Sequence, residues 1–294
     1  MSGALLQVSD LRVQIGTGGH ATPILRGVNI EIKPGEIRGL VGESGGGKTM
    51  VGKAITGLLP SSAVVSSGHI VFQGQKLLEL SAKNRRALLG KQIAMILQQP
   101  SSALNPVLRI ENQITDVLTR RLGYDKKGAR DYALELLSMV HIRAPERVLR
   151  QYPHELSGGM CQRVVIAIAF AGKPSLIVAD EPTTALDVTV QFEILKLIKE
   201  LQTKTGTAVL FVTHDLGVVA KICDEVSVIF AGRILEQGRT EDVIGRPCHP
   251  YTQALIAASP RLDRPDAGLH PVPGELTTSL WNDAMASDLE HSRA

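Results

Sequence analysis

No apolar run in this chain approaches the roughly 18–20 residues that a membrane span requires. The longest, residues 164–171, is the size of a core element, so any dealing with a membrane has to pass through a partner. Aromatic residues make up only 3% of the 294 positions, which leaves the core to aliphatic packing. Neither sign of charge is in large excess. A net formal charge of +3 is too small a bias to draw the chain to nucleic acid, and no nucleic-acid partner is expected. Cysteine is scarce as well. Cys161, Cys223 and Cys248 are odd in number and far apart, with no CxxC pair, which argues against a disulfide framework or a zinc site and fits a reducing compartment. Cys248 stands beside His249, with His270 further on, and this reads as an incidental neighbourhood rather than a metal site. Residues 1–10 hold no basic segment followed by an apolar run, so no secretory signal is expected.

What is present is an ordinary apolar share of 44% in a chain long enough to bury a sizeable core. Leu11, Val13 and Ile15, then Val28, Ile30 and Ile32 after a Gly-rich turn, alternate as antiparallel strands do. After the turn Lys33-Pro34-Gly35-Glu36, residues 37–41 read as a buried strand. A Gly-rich loop and a helix over about 49–58, ended by Pro60, follow. Residues 70–72 and 93–97 are further strand candidates. Between about 100 and 160 the pattern becomes helical, with Ala133, Leu136, Leu137 and Val140 on one face. Then come a strand at 176–179, an amphipathic helix marked by Val190, Ile194, Leu197, Ile198 and Leu201, and strands at 208–212 and 226–230. Strands separated by helices imply a mostly parallel sheet with helices on its faces. From about Ser259 the composition turns to Pro, Gly and polar residues, and the closing run at 286–294 reads as a loosely ordered tail.

Gly42-Glu43-Ser44-Gly45-Gly46-Gly47-Lys48-Thr49 fits GxxxxGK[ST] between a strand and a helix. A loop that wraps a polyphosphate needs glycines, for positive φ and for close backbone approach. Lys48 can reach the β- and γ-phosphates, the Thr49 hydroxyl can hold Mg²⁺, and the helix adds its positive N-terminal end. Alone, this motif does not separate kinases, GTPases, helicases and transport motors. Residues 176–181 are an apolar strand that ends in Asp180 and Glu181, at the sheet edge where ligands bind in such folds. Asp180 would orient Mg²⁺ through water, and Glu181 would polarise the water that attacks the γ-phosphate. Ser157, Gly158 and Gly159 form a second anion-binding turn at a helix N-terminus. One chain then carries a phosphate cradle too many, and a head-to-tail dimer resolves this, each chain's serine-glycine turn covering the γ-phosphate held by the other.

Taken in order, the phosphate loop, Gln98, Leu156-Ser157-Gly158-Gly159-Met160, the acidic strand end running to Ala185-Leu186-Asp187, and His214 resemble the ATP-binding subunit of an ABC transporter, over roughly residues 5–260. The resemblance implies an α/β P-loop NTPase core with a mostly parallel sheet, an N-terminal antiparallel β subdomain and a helical insert at about 100–160. It implies an ATPase domain over 1–258 and a C-terminal extension over 259–294, typical of peptide-importer motors, with a partly disordered tail. Gln98 would contact Mg²⁺ and the attacking water, His214 would hydrogen-bond the γ-phosphate, and Asp187 would touch the opposite subunit. ATP and Mg²⁺ would be the nucleotide and metal. The run Gln98-Gln99-Pro100-Ser101-Ser102-Ala103-Leu104-Asn105-Pro106, the run Asp187-Val188-Thr189-Val190-Gln191 and His249-Pro250-Tyr251-Thr252 resemble the oligopeptide, dipeptide and nickel importer branch. That branch implies a second ATP-binding subunit, identical or related, two membrane-spanning permease subunits and a periplasmic or lipid-anchored solute-binding protein. It also implies peripheral attachment to the cytoplasmic face of the inner membrane.

Three positions depart from the resemblance. Cys161 stands where an arginine is usual, which predicts altered dimer closure or regulation. No aromatic residue precedes Phe72, so Ile15 or His20 would have to stand in for the ring that stacks on adenine, with weaker base selectivity. The cysteine cluster that several relatives carry near the C-terminus is missing, so no iron–sulfur cluster is expected. The rival readings are a soluble ABC-type ATPase acting on DNA or ribosomes and a P-loop kinase. The short insert and single phosphate loop disfavour the first, and the serine-glycine turn, which has no task in a kinase, disfavours the second.

Overall fold

The computed structural model describes residues 3–16, 21–184, 186–259 and 271–291. In chain order it begins with β1 (Leu6–Ile15), β2 (Thr22–Ile32), β3 (Ile37–Val41), α1 (Lys48–Thr56), β4 (Ala63–Phe72) and β5 (Gln75–Lys76). There follow α2 (Ala82–Leu88), β6 (Ile93–Ile96), α3 (Pro100–Ala103), α4 (Ile110–Leu122), α5 (Lys126–Met139), α6 (Pro145–Arg150) and α7 (Gly158–Phe170). The remainder is β7 (Leu176–Asp180), α8 (Val188–Thr205), β8 (Ala208–Thr213), α9 (Leu216–Ile222), β9 (Glu225–Phe230), β10 (Arg233–Arg239), α10 (Thr240–Gly245), α11 (Pro250–Ala258) and α12 (Gly274–His291). The chain divides into two units, Met1–Leu80 with Leu210–Ala294, and Ser81–Val209.

In the first unit, β2, β1, β4 and β5 form an antiparallel sheet in that order. Its apolar residues break step: Leu6 and Val8 share one parity, Leu11 and Val13 the other. An irregularity between Val8 and Leu11, with Asp10 at φ 44°, restores the side-chain alternation, so all four side chains are buried. β2 makes the matching step between Leu25 and Val28, where Gly27 takes φ 87°. Gly68 lies opposite on β4, and a Cβ there would stand 2.3 Å from the Asp10 carbonyl oxygen, so only glycine admits the bulge.

The same unit holds the strand order β10-β9-β3-β8, with β3 parallel to β9 and β9 antiparallel to β10. Every residue of β3 is buried. Among them Arg38 forms ion pairs with Glu36 at 2.8 Å and Glu225 at 3.1 Å and donates to the Ser227 hydroxyl, so the buried charge is compensated. α1 stops at Gly57, whose left-handed conformation lets Gly57 and Leu58 return their N–H groups to the last turn. The expected stop at Pro60 comes later than this cap.

In the second unit, β6 and β7 pair in parallel with Ile93 opposite Leu176. Residues 100–150 hold α3 to α6 joined by short turns, and α4 buries Ile110, Ile114 and Leu118 while α5 buries Ala129, Ala133, Leu136 and Leu137. α7 buries apolar residues around most of its circumference and packs against α3, α5 and α8.

The loosely ordered tail expected over residues 286–294 is, as far as His291, the end of a helix that begins at Gly274, and 292–294 lie outside the described residues. Its composition concealed this because the helix has little amphipathic character of its own. Tertiary contacts hold it instead: Ala284 is buried, and Asp288 pairs with Arg26 of β2 at 2.8 Å. Among the described residues, no helix is long and apolar enough to cross a membrane.

Candidate functional site

The phosphate loop lies between the buried end of β3 and the first residue of α1. A Cβ at Gly42 would stand 2.0 Å from the Ile229 carbonyl oxygen, so the loop leaves its strand where a side chain does not fit. Gly45 and Gly47 take φ 85° and 100°, the left-handed region that aligns successive N–H groups into an anion-binding concavity. Gly47 caps α1 without a side chain, so no side-chain oxygen competes at the helix N-terminus. Ser44, Gly45 and Thr49 are exposed, whereas Lys48 is 5% exposed. Its ammonium donates to the carbonyls of Gly42 at 2.8 Å and Glu43 at 2.9 Å, folding the lysine over its own loop. Gly46 N–H returns to the Glu43 carbonyl at 3.1 Å.

His214 follows β8 in the same unit and is exposed. The next residue, Asp215, caps α9 by accepting from the N–H groups of Gly217 and Val218, so the turn bearing the histidine is anchored.

In the second unit the structure brings two of the expected residues together. Gln98 lies just beyond β6, and its side-chain amide donates to the Glu181 carboxylate at 2.7 Å. The Thr184 hydroxyl donates to the same carboxylate oxygen at 2.9 Å. Asp180 is the buried last residue of β7. Glu181 has φ 45°, a backbone conformation that costs a non-glycine residue energy and that clusters at functional sites. Thr184 carried no sequence signal of its own.

Ser157 caps α7 by accepting from Met160 N–H at 3.3 Å, which leaves Ser157 and Gly158 exposed at the helix start. A Cβ at Gly159 would approach Val190 of α8 to 2.7 Å. Asp187 is exposed and caps α8 through Val190 N–H at 2.9 Å. Cys161 points inward: it is buried, its thiol donates to the Pro153 carbonyl at 3.4 Å, and burial raises its pKa.

Sequence reasoning missed Tyr251. The run His249-Pro250-Tyr251-Thr252 marks a branch resemblance, but nothing local in it announces a contact with residue 43. The tyrosine is fully buried on α11, and its hydroxyl accepts from Glu43 N–H at 3.2 Å and donates to the Glu43 carboxylate at 3.3 Å. Burial, with the neighbouring Glu43 charge, drives its pKa well above the ordinary tyrosine range. The stand-ins for an adenine-stacking ring divide: Ile15 ends β1 partly exposed, while His20 lies outside the described residues. Phe72 is fully buried and is no substitute.

The residues present fit a nucleotide and its metal. The loop has a glycine cradle that side chains would fill, a lysine held within it, and an uncapped helix N-terminus. Each unit carries oxygen donors of the hard kind that Mg²⁺ takes: the Thr49 hydroxyl in the first, and the Gln98 amide and Asp180 carboxylate in the second.

Comparison with known proteins agrees with this chemistry. Residues 25–184 match the family model described as ABC transporter, and residues 235–282 match one described as oligopeptide/dipeptide transporter, C-terminal region. The oligopeptide transport ATP-binding protein OppD of Bacillus subtilis (strain 168) is 45% identical over 96% of this chain and 80% of that protein. The dipeptide transport ATP-binding protein DppD of the same organism is 46% identical over 92% of this chain and 81% of that protein. Among solved structures, the dimeric post-hydrolysis state of the ATP-binding cassette MJ0796, bound to ADP and Pi, superposes with a TM-score of 0.70. It is 28% identical over 80% of this chain and 98% of that one.

Proposed function

This chain belongs to the ABC transporter family, and from that premise we propose that it is the ATP-hydrolysing motor subunit of a peptide importer. It binds ATP and hydrolyses it. One observation carries the peptide reading: the ATPase match and the oligopeptide/dipeptide C-terminal match lie on the same chain. In this reading residues 1–258 are the ATPase domain, with the helical insert at about 100–160, and 259–294 are an extension.

Mechanistically, the reaction is phosphoryl transfer to water, in which the protein supplies position and charge. The N–H groups of the Gly45–Thr49 stretch cradle the polyphosphate, and Lys48 turns its ammonium to the β- and γ-phosphates. Glu181 polarises the attacking water and Gln98 orients it, so their mutual hydrogen bond has to open or be shared. His214 donates to the γ-phosphate. When bound, Mg²⁺ would offset phosphate charge, held by Thr49 and Gln98 with Asp180 behind a water. A second ATP-binding subunit presents its own serine-glycine turn, and Ser157, Gly158 and Gly159 of this chain serve the partner's nucleotide in return. Asp187 contacts that partner. The helical insert passes the motion to two permease subunits at the cytoplasmic face of the membrane, and a solute-binding protein outside delivers the cargo.

Uptake of labelled oligopeptides by cells lacking this gene tests the reading. Uptake should be lost, restored by the wild-type gene and not restored by Lys48→Ala. Unchanged peptide uptake with loss of nickel or another small solute would overturn the peptide assignment and leave the ATPase assignment standing.

A further inference from the structure

We propose that Tyr251 is a positioning residue for the phosphate loop, through which the C-terminal segment sets the affinity for ATP. The inference rests on the reading that residues 42–49 bind ATP.

Glu43 is held at three of its polar groups. Tyr251 takes its N–H at 3.2 Å and its carboxylate at 3.3 Å, and Lys48 takes its carbonyl at 2.9 Å. The tyrosine has little freedom to leave. Its ring is fully buried and lies 4.8 Å from that of Phe230, at the end of the strand whose Ile229 carbonyl excludes a Cβ at Gly42. The start of α11 is fastened in turn. The Glu236 carboxylate, on β10, accepts from Cys248 N–H at 2.8 Å and His249 N–H at 3.1 Å, and His249 Nδ1 accepts from Tyr251 N–H at 3.0 Å. The histidine, proline and tyrosine of that run therefore divide the work: one caps, one starts the helix, one reaches the loop.

A second strut meets the loop three residues on. Gly232 N–H donates to the Gly46 carbonyl at 3.0 Å. The neighbouring Ala231 carbonyl accepts from Arg26 Nη1 at 2.7 Å. Arg26 is held by α12, through Asp288 at 2.8 Å and through Trp281, whose ring centroid lies 5.3 Å from the guanidinium carbon. The segment after β10 thus reaches the loop directly at Glu43 through α11, and indirectly at Gly46 through Arg26 and the 231–232 turn.

This matters because half of the loop is glycine, the residue with the most backbone freedom to lose. A loop already fastened in its cradle shape loses less entropy when the phosphates arrive, and that saving appears as affinity. The Tyr251 hydroxyl touches no reacting atom, so its removal should weaken ATP binding more than it slows the chemical step.

The experiment measures Mg-ATP binding to the full chain with a fluorescent ATP analogue, together with KM and kcat in the assembled transporter. Tyr251→Phe keeps the ring against Phe230 and removes both hydrogen bonds. Kd and KM for ATP should rise by about 3- to 10-fold while kcat at saturation stays within about twofold. Glu43→Ala, which keeps the backbone N–H bond to Tyr251 and loses the carboxylate bond, should raise Kd in the same direction by less, and adding it to Tyr251→Phe should bring little more, since that bond is already gone. Thermal unfolding without nucleotide checks that Tyr251→Phe folds, and Glu43→Ala, an edit to a loop side chain, provides the second reading if it does not. Wild-type Kd in both variants, or a fall in kcat with Kd unchanged, would overturn the proposal. Fully additive effects would do the same. Failure of the wild-type chain to bind Mg-ATP would instead overturn the ATP reading on which it rests.

Discussion

Gln98 and Glu181 lie 83 positions apart, and the amide of one donates to the carboxylate of the other across 2.7 Å. With Thr184 on the same oxygen, the carboxylate assigned to the attacking water is held by two neutral donors before any water is engaged. Glu181→Gln should preserve these neutral contacts in shape while removing the base. ATP affinity is expected to stay within about threefold and turnover to fall by about 100-fold or more. Wild-type turnover in this variant, by phosphate release, would remove Glu181 from its assigned role.

The adenine end offers a gain-of-function test. Ile15 ends β1 partly exposed, and Phe72 is locked in the core, so aliphatic contact is what this strand offers a base. Ile15→Tyr should tighten ATP binding by about tenfold, in line with the worth of an aromatic stacking partner. The wild-type chain should turn over GTP at a rate comparable with ATP. A strong preference for ATP would contradict the weak-stacking reading.

Gly42 tests space rather than conformational freedom. A methyl group there meets the Ile229 carbonyl oxygen at 2.0 Å, and backbone has to move to admit it. Gly42→Ala should lose about 3 kcal/mol in urea unfolding and most nucleotide affinity. An unchanged unfolding midpoint would show that the strand-to-loop junction is looser than described.

Alkaline pH should destabilise the fold. Burial raises the pKa of Cys161, Tyr132 and Tyr251, whose ordinary values are 9.0 for the thiol and 10.0 for the phenols. The unfolded chain then releases these protons first and binds fewer of them than the native state. Stability from all three is complete below pH 9 and declines as pH rises through 9 and beyond 10. Urea unfolding at pH 8 and pH 10 should show the drop, and Tyr251→Phe should shrink it. Stability that rises between the two values would contradict the sign.

Legibility followed the range of the interaction. The phosphate loop could be read because its chemistry is contained in eight consecutive residues between a strand and a helix. The serine-glycine turn was equally local, and the structure adds that Ser157 caps its own helix. The alternation in β1 and β2 was visible, but the bulges that keep it in step were not, because each needs its partner strand to be recognised. Pro60 was the conspicuous breaker after α1, yet Gly57 ends the helix first by taking a left-handed cap. Residues 286–291, expected as part of a tail, lack an amphipathic pattern and are helical as the end of Gly274–His291.

The sequence by itself determined the reaction class, since nucleotide chemistry demands glycines, a lysine and acids at short fixed spacings. Only the tertiary structure decided how those parts are held. The hydrogen bonds between Gln98 and Glu181 and between Tyr251 and Glu43, and the burial of Cys161, join residues that no local pattern relates. Such contacts depend on where separate strands and helices end in space, and a linear motif carries no record of that.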